Sequence, residues 1–292
     1  MPGSVRTMLL FARHGECAAN AERCYVGRRE SPLTPRGERQ ARRLAHEIAT
    51  DESLRVARIV TSPLGRAVHT AEIVADALAR AGGPAPRLEL DQRFVELDYG
   101  DLDGQPFTPP GRGDLASAGA PGAEPAQVGS SSRRGAHGAA TARSAAPPRG
   151  AAPSVVMTPA GGAAPGGEEA WHLDPTVAVP NGESLAEVAV RVCSACEELY
   201  ASASERSPRA AGGPEVPAAS APAPGDVLVV SHVSPIKLAV CWALGASIVS
   251  VWRMDLAVAS LTRVSTRGSL PHLERYNEHD YLGEDASPPI WR

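Results

Sequence analysis

Five side chains in this sequence have the types and settings that phosphoryl transfer needs. Arg13-His14-Gly15-Glu16 follows the apolar run Met8 to Ala12, and Asn20 comes shortly after. Ser231-His232 follows a second apolar run, Val227 to Val230. Arg66 comes just after Ser62-Pro63, and Glu96 follows Phe94-Val95. An imidazole attacks phosphorus from one neutral ring nitrogen while a fixed acceptor holds its other N–H. A backbone carbonyl near Gly15 can serve His14 in this way, and the glycine lets the chain turn without a side chain obstructing the substrate. The planar forks of Arg13 and Arg66 match phosphoryl oxygens. His232 adds a further donor, charged when the site holds a dianion. Such groups stabilise a transferring phosphoryl group, a task Mg²⁺ performs in other enzymes, so no metal and no cofactor is expected. Glu96 then protonates the leaving alkoxide and later activates water.

These residues need a scaffold that brings distant segments to one place. Met8 to Ala12, Val56 to Thr61 and Asp226 to Val230 read as strands buried on both faces, and Leu88 to Leu90 as a weaker one. Thr34-Pro35, Ser62-Pro63 and Ser234-Pro235 each offer a cap followed by a proline, the start of a helix. After the first of these, Ala41, Leu44, Ala45 and Ile48 form one apolar stripe; after the second, Ala67, Ala71, Val74 and Leu78 do. Glu183 to about Ala201 reads as a further helix, and Ala257 to Thr266 and Pro271 to Tyr276 read as late strands. Strands alternating with helices predict an α/β fold, a three-layer α/β/α sandwich with a mostly parallel central sheet. Ligands of such sheets sit beyond the carboxyl ends of the strands. The five candidate residues all stand at that edge.

Composition bounds the alternatives. With 29 Lys and Arg against 33 Asp and Glu, the net charge is −4, so no global basic field attracts nucleic acid or a membrane surface. The apolar run at Met8 is too short for a signal sequence, and a cytoplasmic location is expected. Cys193 and Cys196 form a C-x-x-C with no second pair to complete a zinc site, and read as reduced thiols on a helix. Two Ala/Gly/Pro-rich tracts, at about 106–167 and 202–225, are expected to be disordered interruptions of one domain spanning 1–292.

The motifs resemble those of the histidine phosphatase superfamily, in its phosphoglycerate mutase-like branch. Arg13-His14-Gly15 with Asn20 looks like that family's R-H-G-x-x-x-x-N, and Ser31-Pro32-Leu33-Thr34 with Gly37 like its P-L-T-x-x-G. Ser62-Pro63-Leu64 with Arg66-Ala67 and Thr70-Ala71 looks like its S-P-L-x-R-A-x-x-T-A. Glu96 to Gly100, Pro180-Asn181-Gly182-Glu183-Ser184 and Val230-Ser231-His232 look like three further blocks, in order. Cys17 and Val233 stand where the family usually has a hydroxyl residue and a glycine. The resemblance implies a phosphohistidine at His14, a phosphate pocket from Arg13, Asn20, Arg66 and His232, and Glu96 as proton donor. Arg28, in the loop after Gly27, is a candidate substrate contact.

The function expected is a phosphomonoesterase acting on a small phosphorylated metabolite. Phosphoglycerate mutase is the alternative. Mutases of the family carry basic residues just after the glutamate, where Leu97 and Asp98 stand here, and Asp98 would repel a second phosphate. A non-catalytic module that binds phosphorylated ligands is the third reading.

Overall fold

The computed structural model describes residues 7–82, 85–107, 170–205, 225–266 and 270–287. Strands β1 (Met8–Arg13), β2 (Val56–Thr61), β3 (Arg87–Leu90), β4 (Asp226–Ser231), β5 (Leu261–Ser265) and β6 (His272–Glu278) form one sheet in the order β3-β2-β4-β1-β5-β6. Four of them, β3, β2, β4 and β1, run parallel, while β5 and β6 close the far edge antiparallel. The helices are α1 (Ala18–Ala21), α2 (Pro35–Thr50), α3 (Gly65–Arg80), α4 (Ala170–Leu173), α5 (Leu185–Glu205) and α6 (Val233–Leu244).

The unbroken apolar runs of β1 and β4 follow from burial on both faces. Met8, Leu10 and Ala12 meet the stripe Leu44, Ala45 and Ile48 of α2 and the stripe Ala67, Ala71 and Val74 of α3. Leu9 and Phe11 face the other way, onto Val188, Val192 and Ala195 of α5 and Leu238, Ala239 and Trp242 of α6. The result is the three-layer sandwich expected.

Three details differ from the expectation, each for a physical reason. Helix α3 begins at Gly65 rather than at Ser62-Pro63, because the Ser62 hydroxyl is bonded to His232 as well as to the Leu64 N–H. Helix α6 begins at Val233, and its first N–H groups are bonded by the distant Glu96 carboxylate instead of a local serine. Of the stretch 257–266, only Leu261–Ser265 is a strand, because Ala259 takes a positive φ of 50°. Thr34 does cap α2 as expected, accepting from the Gly37 N–H at 3.0 Å.

The tracts expected to be disordered lie almost wholly outside the described residues. At their margins, Pro106 bridges to Cys24 and α5 continues to Glu205. Among the described residues, no helix is long and apolar enough to cross a membrane. The cysteines there are free thiols, and burial pushes Cys193 up to about 12 and Cys241 to about 11.

Candidate active site

Strand register puts the two histidines together. Arg13 of β1 is paired with Ser231 of the neighbouring parallel β4, so His14 and His232 leave the sheet side by side. Their ring centroids are 5.0 Å apart at 59°. Backbone hydrogen bonds from His14 N–H to the Ser231 carbonyl and from Ser62 N–H to the Val230 carbonyl, both 3.0 Å, hold the three strand ends level.

His14 is 2% exposed, and its Nδ1 donates to the Gly15 carbonyl at 2.7 Å. A carbonyl only accepts, so Nδ1 carries the hydrogen and Nε2 of the neutral ring keeps its lone pair. Burial, then the charges of Arg66 and Arg13, hold this imidazole well below its ordinary pKa, despite the Gly15 carbonyl. His232 is fully buried, and burial, Arg66, His14 and Arg13 lower it in the same way. Its Nε2 lies 2.7 Å from the Ser62 hydroxyl. Both rings are therefore neutral near pH 7.

The turn at Gly15 depends on close backbone packing. A Cβ there would lie 2.3 Å from the Gly37 carbonyl oxygen, and one at Gly37 would lie 2.0 Å from that of Glu16. The two glycines let the loop after β1 press against the first turn of α2. The Thr70 hydroxyl accepts from the Gly15 N–H at 3.2 Å and donates to the Arg66 carbonyl.

Both arginines are anchored from behind by carbonyls. Arg13 Nη1 donates to the Leu256 carbonyl at 2.7 Å; Arg66 donates to the Arg29 and Gly27 carbonyls at 3.0 and 2.7 Å. Burial leaves them only 2% and 1% exposed and lowers both guanidinium pKa values. Arg66 sits at the N-terminal end of α3, where the helix dipole disfavours a cation. Among the described residues, three buried nitrogens of the cluster, Arg13 Nε, Arg66 Nε and His232 Nδ1, have no hydrogen-bond partner.

Glu96 is held on three sides. Its Oε1 accepts from the Leu97 and Ser234 N–H groups at 2.8 and 3.2 Å, and its Oε2 from Val233 N–H at 3.0 Å. Arg191 of α5, which the sequence reading passed over, grips the segment carrying it. The guanidinium donates to the carbonyls of Arg93, Val95 and Glu96 and to the Glu183 carboxylate. No local pattern marks it, because three of its four partners belong to the distant segment 93–96.

A cavity of about 470 Å³ opens beside these groups, lined by Arg13, His14, Asn20 and Glu96. Arg66 and His232 lie buried behind it. Asn20 faces the cavity while its side-chain oxygen accepts from the Cys17 N–H at 3.3 Å. Lys237, one turn beyond Val233 on α6, also lines the cavity, and burial pushes its ammonium down to about 8. It ends the string Ser231-His232-Val233-Ser234-Pro235-Ile236-Lys237, which looks like a subgroup variant of the second-histidine block, so its place was legible in the sequence.

Arg28 lies apart from this cavity. Its guanidinium pairs with Glu183 at 2.6 Å and Asp98 at 3.7 Å, and it lines a separate surface hollow with Arg93 and Arg191. Acidic neighbours draw it away from His14. Leu97 and Asp98 lie apart from the cavity as well. Leu97 is buried in the core, and Asp98 is turned to Arg28 and the Gly100 N–H, so neither faces the cavity. Tyr99 is the nearby residue that does. Among the described residues, no group of three or more His, Cys, Asp and Glu side chains could hold a metal ion.

The comparisons with known proteins agree with this geometry. The chain is 44% identical over 93 residues to the probable phosphoglycerate mutase GpmB of Enterobacter sp. (strain 638), covering 32% of this chain and 39% of that protein. It is 42% identical over 101 residues to the uncharacterized phosphatase PhoE of Bacillus subtilis (strain 168), covering 35% of this chain and 48% of that one. The chain thus spans less than half the length of these curated relatives. Its fold matches that of mycobacterial glucosyl-3-phosphoglycerate phosphatase with a TM-score of 0.57 at 21% identity, over 93% of this chain and 99% of that chain. The sequence pattern of the histidine phosphatase superfamily (branch 1) matches residues 9–132 and 215–279. The chain belongs to the histidine phosphatase superfamily.

Proposed function

We propose that this chain is a phosphomonoesterase that acts without a metal ion on a small phosphorylated metabolite, through a phosphohistidine at His14. One observation carries the reading. His14 presents a neutral Nε2 inside a buried cluster in which Arg13 Nε, Arg66 Nε and His232 Nδ1 have no hydrogen-bond partner among the described residues. Buried donors left unpaired are costly, and a phosphoryl dianion satisfies them together.

In the reaction, His14 Nε2 forms a bond to phosphorus as the bond from phosphorus to the ester oxygen breaks. Arg13, Arg66 and His232 meet the charge that develops on the three phosphoryl oxygens. Glu96 gives a proton to the departing oxygen. Its carboxylate then takes a proton from water, whose oxygen displaces His14 from phosphorus and releases inorganic phosphate. Asn20 contacts the same phosphoryl group from the cavity wall.

A mutase is supported by the name of the GpmB relatives. Against it, the residues after Glu96 bring the Tyr99 ring to the cavity and no cation. A mutase assay with phosphoglycerate, run beside a hydrolysis assay, decides between them. The phosphatase itself is tested by turnover of p-nitrophenyl phosphate. His14→Ala abolishes it with the fold intact, and EDTA leaves the wild-type rate unchanged. Activity surviving in His14→Ala, or lost in EDTA, overturns the proposal.

A further inference from the structure

Aromatic residues are only 4% of this chain, yet five of them meet on one wall of the cavity that holds His14. Tyr25 and Tyr99 have ring centroids 5.0 Å apart, and Tyr25 and Phe107 are 4.9 Å apart, edge to face. Trp171 joins Tyr99 at 6.0 Å and Trp252 at 5.4 Å, both edge to face. Val251 completes the wall. Tyr99, Phe107 and Trp252 stay partly exposed while lining the cavity, so the cluster is an open surface as well as core.

The cavity is therefore polarised. Arg13, His14, Asn20 and Glu96 form its polar side, and the rings continue from it along the same open volume. A phosphoryl group seated on His14 leaves its ester oxygen toward Glu96, three residues before Tyr99. The alcohol portion of the substrate then lies against the rings. The rings themselves offer a polyol little to replace the water it gives up, although Lys237, Asp255 and Asn277 also line the cavity. A flat apolar group gains buried area and edge or face contact with several rings.

Resting on the phosphatase reading, the geometry points to a substrate class: phosphate monoesters whose alcohol carries a flat, largely apolar group of at least one ring, with Trp252 and Tyr99 as specificity-determining residues. Small hydroxylated esters such as glycerol phosphate are the class it disfavours.

The test pairs unactivated primary esters, so that leaving-group basicity is matched. Wild-type kcat/KM is at least roughly tenfold higher for 2-phenylethyl phosphate than for glycerol 3-phosphate. Trp252→Leu brings this ratio down toward unity. Non-hydrolysable phosphonates carrying the same two groups, titrated by calorimetry, separate this claim from catalysis. Tighter binding of the phenylethyl phosphonate supports the aromatic subsite even if no ester is turned over, an outcome that removes the phosphatase alone. Equal binding of the two phosphonates, or a preference for the glycerol ester, overturns the subsite and leaves the chemistry of His14 untouched.

Discussion

Replacing Arg191 with Met should damage catalysis selectively, because Arg191 positions Glu96 without touching substrate. Its guanidinium donates to the carbonyls of Arg93, Val95 and Glu96 at 2.7, 2.6 and 3.1 Å and to Glu183 at 3.1 Å. At about 1 kcal/mol for each of these bonds, their loss sums to roughly 3–4 kcal/mol. Arg191 and Glu183 are 17% and 19% exposed, so water recovers part of this, and Arg28 still holds Glu183. About 2–3 kcal/mol of destabilisation remains, or roughly 4–12 °C in Tm for a domain of this size. Released from Arg191, the Glu96 segment shifts, and a displacement near 1 Å costs about 100-fold where proton donation limits the rate.

The assay compares an alkyl phosphate with p-nitrophenyl phosphate, whose leaving group needs little protonation. Arg191→Met lowers kcat for the alkyl ester by about 100-fold and for the aryl ester by less than about tenfold. Glu96→Gln gives the same pattern, with a lower Tm as well, because its amide NH2 must face a backbone N–H that the carboxylate accepted from. Arg191→Lys does not rescue, because one ammonium cannot reach all the carbonyls that a fork spans. Equal losses on both esters, or full activity at a lowered Tm, would show that Arg191 only stabilises the fold.

Two further outcomes follow from the same geometry. Gly15→Ala forces a Cβ to within 2.3 Å of the Gly37 carbonyl oxygen, where backbone must move; the loss is about 3 kcal/mol or more, with activity abolished, measured by urea unfolding and turnover. The contribution of His14 and His232 to stability depends on pH, because their folded pKa values lie well below the ordinary 6.5. The unfolded chain then binds more protons at acid pH, so stability is whole above about 6.5 and falls below it, by up to about 1.4 kcal/mol per pH unit per ring. Urea unfolding at pH 7.5 and 5.5 checks this, and an unchanged midpoint would contradict it.

The sequence carried most of the scaffold and the heart of the cluster, since both depend on local patterns. Uninterrupted apolar runs mark strands covered on both faces, and the register between β1 and β4 then makes His14 and His232 neighbours. What it hid were groups whose roles are assigned by distant partners. Ser62 looks like a helix cap until His232 takes its hydroxyl, and the start of α6 looks locally capped although Glu96, 137 positions away, bonds its N–H groups. Arg28 reads as a free loop cation until Glu183 and Asp98 close on it. Arg191 and the aromatic wall have no local mark, because each matters only through segments joined by folding.

The central claim is tested most directly by trapping the covalent intermediate. The protein is mixed with a radiolabelled phosphate monoester and quenched in alkaline denaturant within its first turnover. Label then appears on the protein, stable in base, lost in acid, mapped to the peptide bearing His14 and absent from His14→Ala. Turnover with no labelled protein at any quench time, or label on another residue, would contradict that claim.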